Sequence, residues 1–201
     1  NMGVKQTGAG SSYVDLAWDA QLGAGHYHTQ FSQDGKNWID MDNSSSPSES
    51  VYNLTQGASY YARVVAYKGS HYTGTHVMSG VSETAIVSTK PTEVSGLTQT
   101  AAGVNSVSMS WNASAGAASY VIYGYINYNW TQIGTSATNS ATITGVAATT
   151  STRFSVAAVK NVTGGTVTGD QCSGVEMKAI PIKVSRIAMQ YYWDSLKEAK
   201  Y

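Results

Sequence analysis

Apolar residues along this chain recur mostly at every second position. Between Tyr13 and Trp18, Val14, Leu16 and Trp18 fall on one side and polar or small residues on the other. That period of two is the mark of a half-buried β-strand, because successive side chains point to opposite faces of a sheet. The same alternation predicts strands over Tyr27–Phe31, Trp38–Met41, Ser50–Leu54 and Tyr60–Tyr67, and a final run over Val77–Val87. Gln33-Asp-Gly-Lys36 supplies a turn. On the Tyr60 strand, Tyr60, Ala62, Val64 and Ala66 share one face. A helical period is absent until the last twenty residues.

The pattern then repeats. "VDLAWDAQLGAG" from Val14 returns as "VSMSWNASAGAA" from Val107. Trp18 matches Trp111, Gly23 matches Gly116 and Tyr27 matches Tyr120, each offset by 93. Asn37-Trp38 matches Asn129-Trp130 at an offset of 92, and "ARVVAYK" from Ala62 matches "FSVAAVK" from Phe154. "SGVSE" at Ser79 is read as the partner of "SGVEM" at Ser173, offset by 94. A period above 90 exceeds the ~20–50 residues of solenoid repeats and is the length of a small domain. In the second copy Val107, Met109 and Trp111 point inward, then Tyr120 and Ile122, then Phe154, Val156 and Ala158. About seven strands in about 90 residues predict a two-sheet sandwich. The fold class is therefore all-β, with two tandem seven-stranded immunoglobulin-like sandwiches and a short C-terminal helical tail. The expected boundaries are 1–91, 92–182 and 183–201. Pro91, which cannot donate to a sheet ladder, ends the first copy, and the short linker limits hinging. In the tail, Ala188, Tyr192, Leu196 and Ala199 recur at helical spacing after Ser185, a candidate N-cap.

These residues resemble the fibronectin type III domain in its bacterial form. The resemblance rests on "VDLAWDAQLGAGHYHTQFSQDGKNW" and "VSMSWNASAGAASYVIYGYINYNWTQIG", with "YNLTQGASYYARVVAYKG" and "ITGVAATTSTRFSVAAVKN" further on. It covers roughly 4–90 and 92–182. It implies that Trp18 and Trp111 fill the two core centres. It also implies that Tyr60 forms a tyrosine corner, bonding back to the preceding loop. Thr152 holds the matching place in the second copy, so no corner is expected there. The resemblance implies a secreted or cell-surface bacterial protein with a non-catalytic spacer, adhesion or protein-interaction role, flanked by other domains. The alternative it leaves open is a carbohydrate-binding accessory region of a secreted polysaccharide-degrading enzyme.

Composition narrows the chemistry. Only 12% of residues are charged, against roughly 25% in ordinary domains, and the 12 basic and 12 acidic residues cancel. No nucleic-acid partner is expected, since phosphate binding needs a concentrated positive field. No apolar run reaches the ~20 residues that span a bilayer, so no membrane insertion is expected, and no signal-peptide pattern opens the chain. A single cysteine, Cys172, excludes an internal disulfide. It is read as a small, half-buried side chain. Asp15, Asp19, Asp40, Asp42 and Asp170 are scattered and make no catalytic dyad. No nucleophile elbow and no phosphate-binding glycine loop is present, so no enzyme and no cofactor is expected. Asn-x-Ser/Thr sequons at Asn43, Asn53, Asn112, Asn129 and Asn161 match the number chance supplies in so Ser- and Thr-rich a chain.

Two sets of residues stand out where the copies stop matching. His26 and His28 share a strand face. If Tyr27 points inward, both point to solvent and can begin a zinc site, with His71 or His76 as a third ligand. The plain reading is surface histidines without metal. In the second copy, "YVIYGYINYNW" turns Tyr123 and Tyr125 outward and puts Tyr128 near the following turn. Exposed tyrosines can stack on sugar faces or anchor a protein interface. The sugar reading requires Tyr123, Tyr125 and Tyr128 to form one coplanar strip. Trp130, matched by Trp38, is expected to be structural.

Overall fold

The computed structural model describes residues 2–69, 74, 76–148 and 150–181. The predicted helical tail over 183–201 lies outside the described residues. The rest is all strand. The first half runs β1 (Lys5–Ala9), β2 (Val14–Ala17), β3 (His26–Ser32), β4 (Ile39–Ser44), β5 (Ser48–Val51), β6 (Ser59–Lys68), β7 (Val77–Val81) and β8 (Ala85–Ser88). The second runs β9 (Thr98–Gly103), β10 (Ser106–Ser110), β11 (Ser119–Ile126), β12 (Asn129–Ser136), β13 (Ser140–Thr144), β14 (Thr152–Val162), β15 (Gly165–Thr168) and β16 (Val175–Met177).

In each half a three-stranded sheet faces a larger one. The first pairs β1–β2–β5 against β4–β3–β6–β7, with β8 continuing beside β6. The second pairs β9–β10–β13 against β12–β11–β14–β15, with β16 beside β14. The strand after the third (β4, β12) joins the third and not the opposite sheet. That is the fibronectin type III arrangement, and it differs from the constant-type immunoglobulin order. The chain thus carries two tandem fibronectin type III sandwiches.

The inward positions of the alternation build the two cores. One gathers Val14, Leu16, Trp18, Tyr27, Phe31, Val51, Ala62, Val64 and Val87. The other gathers Val107, Met109, Trp111, Tyr120, Ile122, Phe154, Val156 and Met177. Trp18 meets Tyr27 edge-on at 5.4 Å, and Trp111 meets Tyr120 edge-on at 5.3 Å. Each tyrosine hydroxyl accepts a hydrogen bond from a backbone N–H six residues earlier, at Gln21 and Ser114, both at 3.0 Å. Tyr60 accepts from the Thr55 N–H at 3.0 Å, which ties the loop before β6 to the core.

Two sequence readings change. The single run expected over Val77–Val87 is broken at Ser82, whose N–H donates to the Val64 carbonyl (2.8 Å) while its Oγ accepts from the Val64 N–H (2.8 Å). Cys172 repeats the device. Its N–H donates to Val156 O (3.0 Å) and its Sγ accepts from the Val156 N–H (3.3 Å). The cysteine is therefore fully buried at a strand break. Second, β16 pairs with Thr152–Phe154 as β8 pairs with Ser59–Ala62. The true partner of Ser82 is Cys172, an offset of 90, and the "SGVSE"/"SGVEM" match at 94 is a coincidence of composition. A second repeated clip agrees. Gln6 bonds both the N–H (2.9 Å) and the carbonyl (2.7 Å) of Ser88, and Gln99 does the same to Lys178 (3.1 and 2.9 Å).

The two sandwiches touch. The Ile86 N–H donates to Thr163 Oγ1 (2.7 Å) and the Thr163 N–H returns a bond to the Ile86 carbonyl (2.8 Å). Lys160, 4% exposed, donates from Nζ to the Gly57 carbonyl. Burial pushes its amine below the ordinary lysine range. Lys90 pairs with Asp170 at 2.6 Å.

Candidate functional site

The expected surface on the second sandwich is built by one hairpin. β11 and β12 pair in register from Tyr120–Ser136 to Ile126–Asn129, which leaves a two-residue loop, Asn127-Tyr128. Both loop residues have positive φ, 50° and 64°. Two left-handed residues in a two-residue loop match the twist of a hairpin, and Asn-Gly is the usual pair. Tyr128 therefore occupies a place that glycine favours, and its side chain is 90% exposed.

Behind the tip, Tyr125 faces Trp130 directly across the two strands. Their ring centroids lie 5.3 Å apart at 62°, an edge-on contact. Tyr125 is 39% exposed and Trp130 37%. Trp130 thus lies at the surface, while Trp38, its match in the first sandwich, is half-buried. The reason lies in the bulge between Ile122 and Tyr123, beyond which Tyr125 and Trp130 sit opposite one another near the hairpin end. The indole leans on Gly174: a Cβ there would come within 2.8–3.0 Å of the ring and 3.3 Å of the Arg153 guanidinium. Glycine is what lets the ring and the loop approach so closely. Arg153, exposed, sits opposite Glu176 on β14–β16. Tyr123, further from the tip, is half-buried. Tyr125 and Trp130 therefore form an angled pair rather than a flat one.

The corresponding loop of the first sandwich is built differently. Asp34 closes it by accepting from the N–H groups of Lys36 and Asn37, both 2.8 Å, and from Ser32 Oγ and Asn37 Nδ2. Next to it, Arg63 lies 4.1 Å from the centre of the Trp38 ring and donates to Gln30, which donates to Asp40. The side chains that grip one another here leave no exposed aromatic tip like Tyr128.

The histidines depart from expectation. Tyr27 does point inward, but His26 is only 4% exposed. The chain after β6 folds back over it. Gly25 packs against the Gly69 carbonyl so closely that a Cβ would collide with it. His26 Nδ1 donates to the same carbonyl at 3.3 Å. Tyr67 stacks on His26 at 5.2 Å and 9°. His76 joins from the start of the next strand, with its ring 5.3 Å from His26 and 6.3 Å from His28. The cluster is held by ring packing around Tyr67. Among the described residues no three ligating side chains are placed to hold one metal ion. His71 lies outside the described residues.

No protein-family model matches the chain, and no curated protein matches it. Solved structures of similar fold exist. The FN1–FN3 domains of chicken CNTN1 align over 89% of this chain at 13% identity, with a TM-score of 0.48; the chain spans 66% of that structure's length. A two-domain fibronectin type III segment from chicken tenascin aligns over 89% of this chain and 98% of its own, at 18% identity and a TM-score of 0.44. The fibronectin type III domain of human fibronectin type III domain containing protein 3 covers half of this chain and 95% of its own, at 18% identity and 0.41. Strand order carries the fold assignment here.

Proposed function

We propose that this chain is a non-catalytic spacer and protein-interaction module of an extracellular, bacterial surface or secreted protein, and that it makes contact through the β11–β12 hairpin. The domains are 1–91 and 92–182, and other domains flank them. The fold belongs with interaction and spacer modules, and no helix among the described residues is long and apolar enough to cross a membrane.

The observation that carries the reading is Tyr128. A side chain in left-handed backbone costs roughly 1–2 kcal/mol relative to right-handed backbone, and this one leaves its ring in water. Folding gains nothing visible from it, whereas a partner would. Tyr, Trp and Arg dominate the energetics of protein interfaces, and Tyr125, Tyr128, Trp130 and Arg153 all belong to this hairpin or border it. Rings set at 62° grip a protruding side chain better than they cover a flat sugar face. The carbohydrate reading stays as the second one, because exposed tyrosines also stack on sugars. It would use Tyr123, Tyr125 and Tyr128.

The test uses the whole chain and a Tyr125→Ala/Tyr128→Ala variant, each probed on an array of surface and matrix proteins and on a glycan array. Protein binding that the variant loses supports the proposal. Glycan binding that the variant loses selects the carbohydrate reading instead. Binding that the variant retains, or none on either array, removes the hairpin as the contact surface.

A further inference from the structure

Two sheet edges meet where the sandwiches join. β1 is the outer strand of its sheet, and β15 is the outer strand of the sheet it belongs to. They do not pair with one another. Both line one open cleft of about 250 Å³, with residues 6–9 on one wall, 164–168 on the other, and Lys90 between them. Beside the cleft, the tip of the β14–β15 hairpin already bonds β8: the Ile86 N–H donates to the Thr163 hydroxyl, and the Thr163 N–H donates to the Ile86 carbonyl. The cleft continues that interface to where the edges stand apart.

Its chemistry selects the ligand. Small-molecule sites run to ~300–1,000 Å³ and converge polar side chains on one point. This cleft is smaller, and its two long walls are residues of edge strands; on β1 the Gly8 carbonyl already accepts from Gln6 Nε2 at 3.1 Å, which leaves β15 as the edge to pair. Such an edge presents a row of peptide N–H and C=O groups, which is a template for another strand. The one cation lining it, Lys90, is already paired with Asp170, so an anionic ligand has little to gain. On the β15 wall, Gly164 and Gly165 leave room for incoming side chains. At Gly165 a Cβ would meet no atom within 4 Å.

We propose that this cleft takes an extended, uncharged peptide segment of a partner protein, which adds as a strand along β15 with β1 on its other side. The four residues of β15 can ladder about 13 Å of such a segment. This site is separate from the hairpin contact and does not depend on it.

The test pans a displayed random dodecapeptide library against the full 201-residue chain. The expected peptides are rich in β-branched, uncharged residues, and on binding they shift the amide resonances of 6–9 and 164–168. Gly165→Phe, whose ring enters the open cleft, weakens binding at least tenfold. Gly165→Ala, too small to fill it, reports that the position tolerates a side chain and keeps binding. Tyr128→Ala keeps binding as well. The proposal is overturned if no peptide is enriched, if binding survives Gly165→Phe, or if the shifts fall elsewhere, including on the hairpin.

Discussion

Tyr128 shows how one residue can cost stability and still be explained. Its φ of 64° is a conformation that glycine adopts freely and side chains resist. Replacing it removes the strain and leaves the turn intact. Tyr128→Gly is expected to raise the stability of the second sandwich by about 1 kcal/mol. The reading would be an upward shift of the urea midpoint for that sandwich at unchanged slope, with loss of whatever the hairpin binds. A lower midpoint would mean that the ring packs in support of the fold, and the argument for a contact role would fail. Cys172 makes the opposite point. Its sulfur accepts the Val156 N–H in the place where Ser82 Oγ accepts the Val64 N–H. A lone cysteine that stood out in the sequence is one half of a repeated backbone device.

At the scale of elements, the loops after β3 and β11 are where the two copies part. The first is closed by Asp34. The N–H of Asn37, then that of Lys36, then the Ser32 hydroxyl and the Asn37 side chain hold its carboxyl well below the usual carboxylate range. A carboxyl whose folded-state value is depressed adds stability above its unfolded value of roughly 3.9, and that contribution fades as pH falls below it. Asp34→Asn, which resembles the protonated acid, is therefore expected to lower the melting midpoint of the first sandwich at pH 7. The gap between variant and wild type should narrow steadily from pH 5 to pH 2, read from the loss of first-sandwich NMR resonances on heating. A gap that stays constant over that range would show that the charge contributes nothing. The second loop has no carboxylate at its centre; Asn129 Nδ2 donates to the Asn127 carbonyl at 3.1 Å, and Tyr128 is held outward. This contrast makes the second loop the better candidate for contact.

At the scale of the molecule, the junction is more than a short linker. Thr163 and Ile86 bond in both directions, and Lys160 reaches the Gly57 carbonyl. Each neutral bond contributes about 1 kcal/mol, and the half-exposed Lys90–Asp170 pair adds less than that. Together they suffice to favour one arrangement of the two sandwiches. A Lys160→Ala/Thr163→Ala variant should keep both cores folded and broaden the distance distribution from small-angle X-ray scattering. Superimposable scattering from variant and wild type would show that the linker alone sets the geometry. A fixed junction would keep β1 and β15 at a constant separation, which a cleft built from two sheet edges requires.

Much of this architecture was legible in the chain, because alternation reports burial directly. Val14, Leu16 and Trp18, and their partners Val107, Met109 and Trp111, lie inward as their spacing demands. The repeat makes the reading stronger by stating it twice. β1, by contrast, reads "KQTGA" and carries no apolar alternation. It is held by pairing with β2 and by the Gln6 clip to Ser88, partners 82 residues apart in sequence. The break at Ser82 escaped notice because a serine on a strand looks the same whether its hydroxyl faces water or a backbone N–H. The burial of His26 escaped because the covering chain arrives from Tyr67 and Gly69, some forty residues on. What the sequence determined by itself is the set of inward faces and their duplication, since both follow from local periodicity. Only the tertiary structure decided which exposed aromatics gather at one tip, which histidine is covered, and which strand edges meet across the junction. Those depend on residues as far apart as Gly57 and Lys160, and no local pattern encodes their approach.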